Sequence, residues 1–146
     1  MASSVKPGSC AAKGPSAPFL HVAVGVIVQQ GQVLLSHRAG HQHQGNKWEF
    51  PGGKLEAGEP VQSALSRELA EELAIRIESA EPFMQVRHQY PEREVLLDIW
   101  LVKSFSGKPR GMEGQQVQWF AIKDLDKLVF PDANQPIVQR LQSLFI

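Results

Sequence analysis

The sequence predicts an α/β or α+β fold in which a mixed β-sheet is held between helices. Three observations carry that prediction. His21 to Gln29 (HVAVGVIVQ) is β-branched and mostly apolar, the pattern of a strand covered on both faces. Pro60 to Leu73 carries apolar residues at helical spacing beside a row of acids. Further strand-like runs follow it, and an amphipathic segment closes the chain.

The chain has 146 residues, enough for one domain with a working core. Its 42% hydrophobic and 21% charged residues are ordinary for a soluble globular protein. Fifteen basic and fifteen acidic residues give zero net charge, which argues against a nucleic-acid coat or a polybasic membrane arm. No Asp or Glu precedes Glu49, whereas Lys6, Lys13, Arg38 and Lys47 do, so the first third is basic. Cys10 is the single cysteine, so no internal disulfide can form; a reducing, cytoplasmic setting and a monomer are expected.

Residues 1–18 are rich in Ala, Ser, Gly and Pro, with no apolar block of a signal peptide and no arginine of a transit peptide. They are expected to form a flexible tail ahead of one domain spanning 19–146. After the first strand, Gln30-Gly31 predicts a turn and Val33 to His37 a returning strand. Arg38 to Lys47 is a polar loop. Its His41 and His43 lack a nearby Cys or third His, so solvated histidines outweigh a zinc site. Trp48-Glu49-Phe50 leads into Pro51-Gly52-Gly53, a turn with unusual backbone angles.

Pro60 suits the first position of the helix that follows. With Glu68 set at zero on a helical wheel, Glu72 falls near 40° and Glu71 near 300°, so the three share an arc of about 100°. Leu65, Leu69 and Leu73 form an apolar stripe beside that arc. Glu68 and Glu72 are a like-charge i,i+4 pair that costs a few tenths of a kcal/mol in isolation, with Arg67 as the local relief. Massed hard oxygen ligands suit Mg²⁺ or Mn²⁺ holding phosphates. A solvated acidic face is the plainer reading, and the wheel alone does not decide between them.

Phe83 to Tyr90 and Val95 to Lys103 predict a hairpin about Pro91-Glu92-Arg93-Glu94. Ser104 to Gly114 is a loop containing Glu113, and Val117 to Ile122 is a further strand. Phe130-Pro131-Asp132-Ala133-Asn134 precedes a closing helix from Pro136, with Ile137, Leu141 and Leu144 turned inward and Asn134 a candidate cap.

Around the acids, Gly53, Glu59, Arg67, Glu68, Leu69, Glu71, Glu72 and Ile75 occupy eight specified positions over 23 residues. They resemble the Nudix box, G-x5-E-x7-R-E-U-x-E-E-x-G-U with U aliphatic. One departure is Ala74, where that family has glycine; it touches the helix end, where a left-handed residue is usual and Ala costs about 1 kcal/mol. FPGGK (Phe50 to Lys54) and FPDAN (Phe130 to Asn134) are similar to the MutT branch, the 8-oxo-dGTP diphosphatases. The similarity runs from about His21 to Leu144.

The resemblance implies an α/β/α sandwich and a metal-dependent nucleoside triphosphate pyrophosphohydrolase. Water attacks the β-phosphorus of 8-oxo-dGTP in that scheme, releasing 8-oxo-dGMP and pyrophosphate, a nucleotide-pool sanitation that avoids mutation. It implies Mg²⁺ (or Mn²⁺) held by Glu68, Glu71, Glu72 and the Gly52 carbonyl, with Glu113 approaching the metals and Arg67 orienting the glutamates. Glu68 or Glu113 is the base, with Glu68 favoured. Arg38, His43, Glu49, Phe50, Gly52, Arg93 and Asn134 are implied nucleotide contacts. Plainer readings stand beside these: Arg93 a surface arginine, Glu113 a surface acid, Asn134 a helix cap. Two rival functions are another substrate such as a modified dCTP, and a noncatalytic recognition module.

Overall fold

The fold is built on one long strand, β1 (Phe19–Gln29), in a computed structural model that describes residues 19–37 and 47–145. Arg38, His43, His41, Cys10 and the N-terminal 18 residues lie outside the described residues. β1 runs parallel to β6 (Glu94–Ser106) from Phe19 to Ile27 and turns through Gln30-Gly31 into antiparallel β2 (Gln32–His37). Both turn residues have positive φ, 52° and 77°, the twist that a two-residue hairpin needs.

β2 pairs with the short β3 (Trp48–Glu49) and with β7 (Gln116–Ala121), while β4 (Gly52–Lys54) pairs with β1. β5 (Arg76–Gln89) lies antiparallel to β6 at the far edge. The path β3-β2-β1-β6-β5 is thus a mixed sheet, as the sequence predicts. Alternation along β1 sends Ala23 and Ile27 to one face and Val24 and Val26 to the other. On the first face lies helix α1 (Val61–Leu73), burying Ala64, Leu65, Leu69 and Leu73. The opposite face is covered by α2 (Gln135–Phe145) through Ile137, Val138 and Leu141. Each fully buried leucine of α1 contributes roughly 1.5–3 kcal/mol, more than the few tenths that its repelling acids cost.

Some boundaries differ from the sequence reading. Pro60 is the residue before α1, extended at ψ 152°, with its carbonyl accepting from Ala64 N–H at 3.0 Å. β5 begins at Arg76, well before Phe83, because pairing irregularities between Ile77 and Met84 break the alternation that marks a strand. Leu144 is 55% exposed and does not turn inward, since the last turn of α2 outlasts the core it packs on. Ala74 takes the left-handed conformation, φ 61° and ψ 33°, so alanine does the work expected of glycine there.

Candidate active site

The acid arc of α1 follows from its apolar stripe: once Leu65, Leu69 and Leu73 are buried against the sheet, Glu68 and Glu72 must flank that contact. Glu68 meets β4 there. A β-carbon on Gly53 would overlap the Glu68 carboxyl group, so only glycine permits this approach. Gly52 is equally confined from the other side, where a β-carbon would strike the Ala23 carbonyl oxygen. The two glycines are therefore bare backbone pressed between β1 and the acids.

Arg67 ties the arc together. Its Nε and Nη2 donate to the two carboxylate oxygens of Glu59, both at 2.9 Å. Nη1 donates to Glu68 at 3.0 Å and more distantly to Glu71 at 3.4 Å, and Nη2 also reaches the Lys54 carbonyl at 3.2 Å. The guanidinium, with help from the Glu56 N–H, holds the Glu59 carboxyl down to about 2, and the acids in turn raise the Arg67 pKa. Glu59 stands in the motif, yet its pairing with Arg67 crosses the loop–helix boundary, where helical periodicity gives no signal.

Glu72 is the pressed member. Burial pushes its carboxyl well above the usual range, reinforced by a hydrogen bond with Glu68 and by the charges of Glu68, Glu113 and Glu49. Carboxylates from β3, α1 and the β6–β7 loop thus all act on Glu72. Glu71 is the outlying member, its side chain 58% exposed against 15% for Glu68. The loop after β6 reaches the arc because it docks on the end of α1: Arg110 N–H donates to the Leu73 carbonyl at 3.1 Å and Met112 N–H to the Glu72 carbonyl at 2.9 Å.

Among the described residues, no three His, Cys, Asp or Glu side chains are drawn together as a finished ion site. The donor set nevertheless fits a hard divalent cation: crowded oxygen ligands, one of them largely desolvated, lying against bare glycine backbone.

A pocket of about 540 Å³ opens beside this arc. Leu20, Val22 and Val24 of β1 and Val95 and Leu97 of β6 line it with apolar surface, and Gly52 and Gly53 carry it to the edge of the acids. Glu49, Phe50, Arg93 and Asn134 line it too, so the described candidate nucleotide residues come together from three separate stretches. Phe50 and Phe130 stack at 5.6 Å and 16°, which joins the FPGGK and FPDAN segments physically. Asn134 ends a short 3₁₀ turn (Asp132–Asn134), and its carboxamide makes no hydrogen bond to a described residue, unlike a helix cap. Tyr90 and Lys54, not singled out from the sequence, also line the pocket; Tyr90 Oη accepts from Ala133 N–H at 3.4 Å. Among the described residues, no helix is long and apolar enough to cross a membrane.

The NUDIX domain family matches residues 23–140. An Escherichia coli K12 protein named 8-oxo-dGTP diphosphatase is 38% identical over 126 residues, covering 86% of this chain and 98% of the relative. Another protein of that strain, named CTP pyrophosphohydrolase, is 30% identical over 86% of this chain and 93% of its own length. A solved MutT structure, from work on Aliivibrio salmonicida and Vibrio cholerae, superposes with a TM-score of 0.76 at 36% identity, covering 88% of this chain and all of that one. The box of glutamates, the mixed sheet that presents it and these matches agree: the chain belongs to the Nudix family of hydrolases.

Proposed function

We propose that this chain hydrolyses 8-oxo-dGTP to 8-oxo-dGMP and pyrophosphate with Mg²⁺ or Mn²⁺. The observation that carries the reading is the pocket itself, which Asn134, Arg93, Gly52 and Gly53 line together, with the Glu68 carboxyl group lying against Gly53. A base reader and the glycine that the acid arc abuts thus line one cavity.

Phosphoryl chemistry asks a protein chiefly for positioning and charge neutralisation. Glu68, Glu71, Glu72, Glu113 and the Gly52 carbonyl are the groups that would hold the cation. A bound divalent ion neutralises phosphate oxygens and makes water more acidic. Arg67 keeps the arc in register by gripping Glu59 and Glu68 at once. Glu68 takes the proton of the attacking water, because its carboxylate abuts the pocket-lining Gly53; Glu113 is the rival base. The new bond joins that water oxygen to the β-phosphorus, and the bond from β-phosphorus to the α,β-bridging oxygen breaks. The departing oxygen stays with the nucleoside monophosphate. Phe50 and the apolar strand residues cover the base, Glu49 and Arg93 stand at its border, and Arg38 and His43 belong to the same nucleotide site in this reading.

A modified dCTP is the second reading, favoured by the relative named CTP pyrophosphohydrolase and by an acid arc that contacts phosphates whatever the base. The deciding experiment incubates purified protein and Mg²⁺ with 8-oxo-dGTP, dGTP, dATP and oxidised or methylated dCTP, and identifies products by chromatography. Preferential formation of 8-oxo-dGMP and pyrophosphate is expected. Release of single phosphate, or a preference for the cytosine nucleotides, overturns the assignment.

A further inference from the structure

The loop that carries Glu113 is tied to α1 by one side chain as well as by backbone. Gln115 Nε2 donates to the Glu72 carbonyl at 3.1 Å, and Gln115 Oε1 accepts from the Glu113 N–H at 2.9 Å. One carboxamide therefore bridges the main chain of two acids 41 positions apart in the sequence. The amide serves both ends at once, whereas a carboxylate lacks the donor and a hydrocarbon lacks both groups. The Glu72 carbonyl also receives Met112 N–H at 2.9 Å, so both of its lone pairs are used by the loop. Such a carbonyl in the last turn of a helix has no partner within the helix, and the loop supplies what is missing. Gly114 N–H donates to the Gly111 carbonyl at 3.3 Å, which closes a turn with Glu113 at its third position.

We propose that Gln115 is a positioning residue that registers Glu113 against Glu72 and so completes the divalent-cation site. The inference rests on Glu113 being one of the carboxylates that face the ion. Glu113 is exposed, and among the described residues its side chain makes no hydrogen bond that would fix the direction of the turn. Fixing its backbone N–H to the same clamp that grips the Glu72 carbonyl moves the two acids as one unit. A loop merely stabilised by Gln115 would lose melting temperature on substitution; a registered carboxylate loses ion affinity through Glu113 alone.

The test uses the full chain without nucleotide. Mn²⁺ binding is titrated by electron paramagnetic resonance, and exchange of the Glu113 amide proton is followed by NMR. Gln115→Met, nearly isosteric but unable to donate or accept like the amide, should weaken Mn²⁺ binding by about tenfold, the low end for lost supporting hydrogen bonds at metal sites. It should also speed Glu113 amide exchange. Glu113→Gln should weaken binding in the wild-type background and add little to Gln115→Met. Gln115→Ala repeats the measurement should the Met variant not fold. Unchanged Mn²⁺ binding in folded Gln115 variants, with Glu113→Gln still weakening it, overturns the clamp and leaves Glu113 at the site. If Glu113→Gln itself changes nothing while Glu72→Gln does, the placement of Glu113 fails and the clamp with it. Additive losses make Gln115 a stabiliser of the loop and also overturn the proposal.

Discussion

Glu59 and Arg67 are joined by two parallel hydrogen bonds of 2.9 Å, one to each carboxylate oxygen, across the boundary between the glycine loop and α1. That fork–fork pair fixes the guanidinium whose remaining N–H groups reach Glu68 and Glu71. The Glu59 carboxyl is lowered from its ordinary 4.5 to about 2 in the folded chain. Its contribution to stability is therefore fully present above pH 4.5 and is lost as the pH falls from there through about 2. Glu59→Gln should be less stable than wild type at pH 6, and the gap should close on acidification. Urea unfolding at pH 6 and at successively lower pH measures it; a gap that stays constant shows that the pair is not the source.

Gly53 and Gly52 should answer differently to alanine. The methyl of Gly53→Ala meets the far end of the Glu68 side chain, which can swing away at small cost to the fold. A misplacement of about 1 Å can nevertheless lower turnover around a hundredfold. Gly52→Ala meets the Ala23 backbone, which cannot swing, and a clash of that kind typically costs about 1–3 kcal/mol. Thermal melts beside turnover should show Gly53→Ala folded and slow, and Gly52→Ala destabilised. Full turnover in Gly53→Ala means Glu68 works from another position.

Glu72→Gln should lower turnover by about tenfold to a hundredfold, the range for a disturbed metal site. The same change should leave the metal-free protein as stable as before or more so, because an amide removes a buried carboxyl from like-charged neighbours. Turnover with Mg²⁺ and a melt in EDTA separate the two effects. Wild-type turnover in excess EDTA would remove the metal from the mechanism.

Asn134→Ala should narrow the preference for 8-oxo-dGTP over dGTP. Oxidation at C8 places a hydrogen on N7, so the base edge offers a donor beside the O6 acceptor, the pattern a carboxamide matches. Unmodified guanine would set two acceptors against the amide and leave a mismatch of about 1–3 kcal/mol. The ratio of kcat/KM for the two substrates should therefore fall by about tenfold to a hundredfold. An unchanged ratio with a lower melting temperature would make Asn134 a structural residue.

Ala74→Gly should stabilise the protein. Left-handed alanine is strained by about 1–2 kcal/mol, and the added freedom of glycine in the unfolded chain takes back about 0.4–1 kcal/mol. A net gain of roughly 0.5–1 kcal/mol corresponds to a rise of about 2–4 °C in Tm for a domain of this size. A lower Tm would mean that the alanine methyl makes contacts worth more than its strain.

The left-handed end of α1 was implied only by the glycine of the Nudix box, a turn that Ala74 left open, whereas from the sequence by itself came the mixed sheet, the acid arc and the apolar stripe beside it. All are consequences of local geometry: a 3.6-residue period decides which residues share a helix face, and alternation decides which residues of β1 meet α1 or α2. Local rules also had their limits. They turned Leu144 inward because the period continues, whereas the core beneath α2 does not; they lost the first half of β5 where its pairing is irregular. Only the tertiary structure paired Arg67 with Glu59, stacked Phe50 on Phe130 and hung the Glu113 loop from the carbonyls of Glu72 and Leu73. Each joins segments whose separation has no period, so the partner is chosen by where the sheet and the helix end bring the chain. For that reason the types of residue at the site were legible in advance, while the relation of Glu113 to Glu72 had to wait for the path of the loop between β6 and β7.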